Sequence, residues 1–138
     1  AVDAEVSRYV GGGIEAAQSL AAQGRLGSIV VVSLGTNGPL AAGERYVEQT
    51  QGLLKLLGSS RRIFWVNVYA PHLSWQDPNN EYIRKMAAEN KNVTVIDWYG
   101  LVSKHPEWLS GDGVHPNDAG TEQYAKLVHD ALAEALAK

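Results

Sequence analysis

The chain has 138 residues, a formal net charge of −3 and no cysteine. This length supports one domain with one hydrophobic core, and the 45% hydrophobic content is ordinary for a globular protein. The slightly acidic balance argues against a nucleic-acid or anionic-membrane partner. The lack of cysteine excludes disulfides, thiolate zinc sites and cysteine nucleophiles. No apolar run approaches the ~20 residues that span a bilayer, and the opening AVDAEVSRYV is unlike a leader, so any export signal or anchor is expected outside these residues.

Strand patterns alternate with helix patterns along the chain. Strands are predicted at 2–6, 28–34, 62–69 and 93–98, and helices at 14–23, 44–57, 79–90 and over the C-terminal segment, with Asn117 or Asp118 as its cap. The β-branched run at 28–34 is typical of a strand buried on both faces. This order predicts an α/β fold, a flavodoxin-like three-layer α/β/α sandwich around a parallel sheet. In such sheets the active site lies at the carboxyl ends of the strands.

The segment DGVHP places Asp112 and His115 three residues apart on a turn before the last helix. A carboxylate that holds a histidine in one tautomer supplies two of the three members of a serine-hydrolase triad. An Asp-Gly turn followed by a solvent-facing histidine is also common, so the spacing alone leaves both interpretations open.

A second polar loop, GTNGP, follows the apolar strand at 28–34. Gly35 and Gly38 allow a sharp turn and close approach to a ligand, and Asn37 between them can present its amide to a developing oxyanion. The alternative is an ordinary Asn-Gly turn. Ser7, after the first predicted strand, can add a backbone N–H to the same site, or serve as a turn or cap residue.

Among other candidates, Trp75 is expected to be the most exposed of the strand-end aromatic residues and to line a sugar-binding cleft, whereas Trp98 is expected in the core. Ser33 lies inside a strand and is interpreted as a small packing residue. We expect neither a metal site nor a cofactor, because the His, Asp and Glu residues lack metal-ligand spacing.

Taken together, the segments VDAEVSR, VVSLGTNGP, NVYAP and VIDWYGLVSKHPEWLSGDGVHP resemble the SGNH (GDSL-like) hydrolase superfamily. Within it, they are most similar to the extracellular domains of OatA-type peptidoglycan O-acetyltransferases. The resemblance covers nearly the whole chain. It implies that His115 is the general base, Asp112 its orienting carboxylate, and Asn37 and Ser7 the oxyanion donors.

The resemblance also implies a serine-type O-acyltransferase or acetylesterase with an acetyl donor and a cell-wall glycan acceptor as partners. Such a domain would be extracellular and tethered through an upstream membrane acyltransferase domain. A carbohydrate O-acetylesterase is the alternative with the same chemistry. A glycan-binding pseudoenzyme on this scaffold and a flavodoxin-like binding domain are non-catalytic alternatives, although no phosphate loop supports the latter.

One departure from the family is the absence of its GDS-type nucleophile block, which lies at the end of the first, central strand. We therefore expect residues 1–138 to be a single catalytic domain that is incomplete at its N-terminus and lacks that strand. The missing segment was removed, is supplied by another chain, or is replaced by strand exchange between copies. The chain alone is expected to have little or no activity.

Overall fold

A computed structural model, which describes residues 1–5 and 7–138, contains a parallel three-stranded sheet in the order β1-β2-β3. The register places Ile29 opposite Arg62 and Ile63 opposite Val93. Strand β2 is central, and β1 and β3 are the edge strands. The strands are β1 (Ile29–Val32), β2 (Arg62–Val66) and β3 (Val93–Ile96).

Five α-helices connect and flank these strands in the described part of the chain. The side chain of Asn117 accepts a hydrogen bond from the N–H of Gly120, which confirms Asn117 as the cap of the last helix. The helices are α1 (Val10–Ala22), α2 (Glu44–Leu57), α3 (Gln76–Glu89), α4 (Trp98–Val102) and α5 (Asp118–Leu136), with a 3₁₀ turn at Pro106–Trp108.

The alternating side chains of β2 divide the core between the two faces of the sheet. Ile63 and Trp65 pack with α1, α2 and α3, whereas Phe64 and Val66 pack with α4 and α5. Trp98 is only 4% exposed and belongs to the second cluster, as expected. The predicted three-layer α/β/α arrangement is therefore confirmed.

The N-terminal segment differs from the prediction. Residues 1–5 are exposed and form no strand, and Val6, the end of the predicted strand, lies outside the described residues. Instead, the Arg8 side chain forms ion pairs with Asp3 and Glu5. Strand structure requires a hydrogen-bonded neighbour, and residues 1–5 pair with none of the described strands.

Helix α1 begins at Val10, four residues before the predicted start, and includes three consecutive glycines. Glycine weakens a helix, but here packing explains the choice: a Cβ on Gly13 would collide with the Leu34 side chain. The α1 helix therefore approaches closely the segment that leads from β1 into the Asn37 loop.

The prediction that the strand at 28–34 is buried on both faces is wrong for its middle. Val31 is 40% exposed because β1 is an edge strand that pairs with β2 alone among the described strands. The strands also end earlier than predicted, at Val32, Val66 and Ile96, and the residues that follow form the loops of the site. None of the helices in the described residues has the length and apolar character needed to cross a membrane.

Candidate active site

An open cleft of 380 Å³ lies beyond the carboxyl ends of the strands, where the fold class predicts a site. The loop after β1, the loop after β2 and the turn before α5 contribute to its walls. The residues that line the cleft include Arg8, Ser33, Gly35, Thr36, Asn37, Asn67, Tyr69, His115 and Tyr124.

The predicted Asp112–His115 pair forms on the turn before α5. The Nδ1 atom of His115 lies 2.5 Å from Oδ2 of Asp112, which leaves Nε2 as the ring nitrogen available for proton transfer. The imidazole is 71% exposed, and His115 lines the cleft. The pair therefore has the orientation of a general base held by a carboxylate.

Local hydrogen bonds fix the Asp112 carboxylate on the other side. Its Oδ1 accepts from the backbone N–H groups of Val114 and His115 and from the Ser110 hydroxyl, each at 2.9 Å. These backbone donors, followed by the His115 ring and the Ser110 hydroxyl, hold the pKa of Asp112 well below its usual range. Asp112 therefore remains a carboxylate and can stabilise an imidazolium at His115.

The loop that carries Asn37 is held from α3. The buried Asn79 side chain accepts from the N–H of Leu40 at 2.8 Å and donates to the carbonyls of Gly35 at 2.8 Å and Gly38 at 3.0 Å. Gly35 has a φ of +123°, a conformation that L side chains rarely adopt. Asn37 lines the same cleft as His115, so the structure brings together the two sides of the predicted site.

Trp75 and Gly38, which were also predicted to line the cleft, instead pack within or against the Asn37 loop. Trp75 is half-buried, and its indole N–H donates to the Thr36 carbonyl at 3.1 Å, so the expectation that Trp75 is the most exposed of the strand-end aromatic residues is wrong. Its contact with a sugar stays a prediction. Among the aromatic residues that follow the strands, Tyr99 is the exposed one, at 38%, and its ring centroid lies 5.7 Å from that of Tyr69, which lines the cleft. Gly38 is buried beneath the Tyr9 ring rather than facing a ligand.

The predicted oxyanion donor Ser7 lies at the edge of this arrangement. It is exposed, has a φ of +60°, and directly precedes Arg8, which lines the cleft. A positive φ on a residue other than glycine is uncommon and costs conformational energy. Its role as a second donor stays a prediction.

Ser33 lies on the cleft wall rather than in a packed interior. Its Oγ is 2.7 Å from the Tyr124 hydroxyl, and burial of Tyr124 raises the pKa of that phenol. The hydroxyl of Ser33 therefore contacts a neutral phenol and not the imidazole of His115. Across the described residues, no group of three or more His, Asp or Glu side chains is arranged to hold a metal ion.

Sequence reasoning missed the buried amides at the start of α3. Gln76 and Asn80, like Asn79, are at most 7% exposed, and they bond the backbone of Ala70 and Val68 in the loop after β2. The signal was the amide-rich segment QDPNN at the beginning of a predicted helix. Amides at these positions satisfy backbone groups of loops that would otherwise be buried without partners.

The model of the family described as GDSL-like Lipase/Acylhydrolase matches residues 3–123. Among curated proteins, YrhL of Bacillus subtilis is 30% identical over 131 residues, or 95% of this chain. The peptidoglycan O-acetyltransferase OatA of Listeria monocytogenes is 34% identical over 105 residues, or 76% of this chain. The chain spans only 20% and 16% of the length of these two relatives.

A solved structure extends the similarity to the fold. The C-terminal catalytic domain of the Streptococcus pneumoniae peptidoglycan O-acetyltransferase A, determined with a methylsulfonyl adduct, matches with a TM-score of 0.83 and 25% sequence identity. The match covers 99% of this chain and 80% of that one. The predicted resemblance to the SGNH hydrolase fold and to OatA-type domains is therefore confirmed.

Proposed function

Because this chain belongs to the GDSL-like lipase/acylhydrolase family, we propose that it forms most of a serine-type O-acetyltransferase or acetylesterase site. Asp112 and His115 are the acid–base pair of this site, and Asn37 and Ser7 are its oxyanion donors. The observation that carries the proposal is the Asp112–His115 pair in a cleft that Asn37 also lines. A carboxylate, an imidazole and an amide at the ends of parallel strands suit acyl transfer.

The reaction proceeds in two displacements. A serine Oγ bonds to the acetyl carbonyl carbon while His115 Nε2 takes the hydroxyl proton, and the carbonyl electron pair moves to the oxygen, which Asn37 stabilises. When the C=O bond re-forms, the alcohol leaves with the proton from His115, and an acetyl-serine remains. A sugar hydroxyl or a water molecule then attacks that ester in the same way and restores the serine.

The nucleophile in this proposal is a serine of a Gly-Asp-Ser block, which does not occur among the 138 residues. The strand that carries it pairs with the edge of β1 that has no partner among the described strands, and it shields Val31, which is 40% exposed. Its serine then lies near Leu34 and Gly35, at the carboxyl end of β1 and in the cleft wall. We call the chain joined to such a segment the completed protein.

The proposed substrates follow from the chemistry of the named relatives. An acetyl donor and a cell-wall glycan are the partners, and the site works outside the cell beyond a membrane tether. The relatives' names suit a carbohydrate acceptor, as does an open cleft that is lined by both polar and apolar side chains. Transferase and esterase differ in whether the sugar or water resolves the acetyl-serine.

The first experiment measures 4-nitrophenyl acetate hydrolysis by this chain, by the completed protein, and by the His115→Ala variant of each. We expect turnover only in the completed protein with His115 present, because loss of a triad nucleophile costs on the order of 10⁶ in kcat. Labelling with methanesulfonyl fluoride and peptide mass spectrometry then identifies the reactive serine. A label on Ser33 of the chain alone would place the nucleophile within these residues.

A completed protein without His115-dependent turnover would favour the second candidate, a glycan-binding module. The tilted Tyr69–Tyr99 pair beside the cleft supports that candidate, since exposed aromatic faces bind sugar rings. Binding of a muramoyl-containing oligosaccharide should then survive His115→Ala and be lost in Tyr99→Ala. The His115→Ala variant is the matched control because its side chain is also exposed at the cleft.

A further inference from the structure

We propose that Asn79 is a positioning residue, which holds the Asn37 loop in the conformation that stabilises the oxyanion. This inference rests on the proposed function for its catalytic meaning, but its geometry stands independently of it. Asn79 does not line the cleft; it lies on α3, is 1% exposed, and acts through the loop that does.

The three hydrogen bonds of Asn79 bracket Asn37 on both sides. On the N-terminal side of Asn37, the carbonyl of Gly35 accepts from Asn79. On the C-terminal side, the carbonyl of Gly38 accepts from Asn79 and the N–H of Leu40 donates to it. The Oδ1 and Nδ2 atoms of Asn79 therefore make all three of these hydrogen bonds to the six-residue loop 35–40. An amide is the side chain that offers both an acceptor and two donors at this size.

The identity of the bonded groups matters for the oxyanion. The carbonyls of Gly35 and Gly38 are bound to Asn79, and the carbonyl between them, that of Thr36, is bound to Trp75. A carbonyl that turned into the cleft would repel the developing negative charge. By binding these carbonyls from the side of α3, Asn79 and Trp75 keep them from that movement and leave Asn37 at the cleft wall.

The neighbouring residue Asn80 provides a natural comparison. It is also buried, at 7% exposure, and its amide bonds both the N–H and the carbonyl of Val68 at 2.8 Å. Asn80 thus holds the loop after β2 in the way that Asn79 holds the loop after β1. A purely structural role predicts similar consequences for the loss of either amide, whereas the positioning role predicts a catalytic effect for Asn79 alone.

The decisive variants are Asn79→Asp and Asn80→Asp in the completed protein. The introduced carboxyl at 79 keeps an acceptor for Leu40 N–H but, when ionised, sets an oxygen against the carbonyls of Gly35 and Gly38. We expect kcat for 4-nitrophenyl acetate to fall ~10²-fold, as for a misplaced catalytic group, with KM within about threefold. We expect Asn80→Asp to change kcat by less than about fivefold.

A pH profile separates positioning from general damage. The groups that Asn79 bonds are uncharged backbone groups, and the nearby Asp77 carboxylate accepts a hydrogen bond from Gln76. Burial and two facing carbonyls raise the pKa of the introduced carboxyl, which can donate to one carbonyl once protonated. The kcat of Asn79→Asp relative to the unsubstituted protein should therefore recover as pH falls. Equal losses in both Asp variants, with no recovery, would overturn the proposal.

A measurement that needs no activity tests the geometry in the chain as it stands. In Asn79→Ala, we expect the side-chain amide signals of Asn37 in a ¹⁵N–¹H NMR spectrum to shift and the Leu40 N–H to exchange faster. In Asn80→Ala, both should stay as in the unsubstituted chain. If Asn37 and Leu40 are unaffected by Asn79→Ala, the inference is wrong, whatever the completed protein catalyses. If they respond but the completed protein is inactive, the proposed function has failed and the loop-holding role of Asn79 stands.

Discussion

The two walls of the cleft are built in different ways. The Asp112–His115 turn is organised by partners within five residues of one another, through Ser110, Val114 and the carboxylate itself. The Asn37 loop is organised by α3, whose Asn79 lies 39 to 44 residues along the chain from the groups it bonds. The first wall is exposed and local, and the second is buried and depends on the whole fold.

Because the two walls are held in different ways, they should respond differently to substitutions that perturb the core. A local turn keeps its shape when the surrounding core loosens, because its donors and acceptors move together. A loop held by a distant helix keeps its shape only while that helix is packed correctly. We therefore expect substitutions at the turn to affect chemistry with little effect on stability, and substitutions at the loop to affect both.

After the loss of His115 itself, the largest expected effect is that of Asp112→Asn in the completed protein. The amide still accepts the N–H groups of Val114 and His115 but no longer holds His115 in the productive tautomer, so kcat should fall about 10⁴-fold. Chemical denaturation should show almost unchanged stability. Ser110→Ala serves as the control, since it removes only one hydroxyl donor to Asp112. A kcat within tenfold of the unsubstituted protein would remove Asp112 from the site.

A pair of glycine substitutions sharpens the contrast. Gly35 and Gly113 both have a positive φ, but a Cβ on Gly35 would lie 3.0 Å from Val68 and 3.2 Å from Asn79, while a Cβ on Gly113 meets nothing within 4 Å. Gly35→Ala should lower the free energy of unfolding by about 2–4 kcal/mol, and Gly113→Ala by about 1 kcal/mol. Urea denaturation of the chain measures both. Equal losses would mean that backbone strain, and not packing against Val68 and Asn79, governs the loop.

The pH dependence of stability provides a further test of the Asp112 turn, with a smaller expected effect. The pKa of Asp112 is lowered on folding, chiefly by the N–H groups of Val114 and His115. Its contribution to stability is therefore complete above the carboxyl pKa of the unfolded chain, about 4, and is lost as pH falls through the lower folded pKa. Stability measured from pH 6 to pH 2 should decline less in Asp112→Asn than in the unsubstituted chain. The difference should be small, because solvent screens this exposed group.

The smallest effect is expected for Ser33→Ala. Its hydroxyl contacts Tyr124, so the substitution should leave the kcat of the completed protein within about threefold, with Tyr124→Phe as the matching variant on the other side of the same hydrogen bond. A loss of 10³ or more in Ser33→Ala alone would identify Ser33 as a nucleophile.

The same contrast explains what the sequence could predict. The Asp112–His115 pair was predictable because the two residues lie three positions apart on one turn, where both side chains can face one cleft. Its assignment as an acid–base pair came from the family resemblance and not from the spacing alone. The parallel sheet was predictable from the alternation of apolar runs. The role of Trp75 was not, because its indole partner is the carbonyl of Thr36, 39 residues away. The role of Asn79 was missed for the same reason, because its position in α3 does not indicate that its partners lie in the loop 35–40.

The edge strand β1 has a consequence for the behaviour of the chain in solution. Its four residues, IVVV, are all β-branched, and one of its edges has no partner among the described strands. The backbone groups of such an edge are a template to which another extended chain can add. In a concentrated solution of the isolated chain, the nearest extended chain is another copy. The strand proposed above would occupy this edge, so that it would protect the chain from aggregation as well as complete the proposed site.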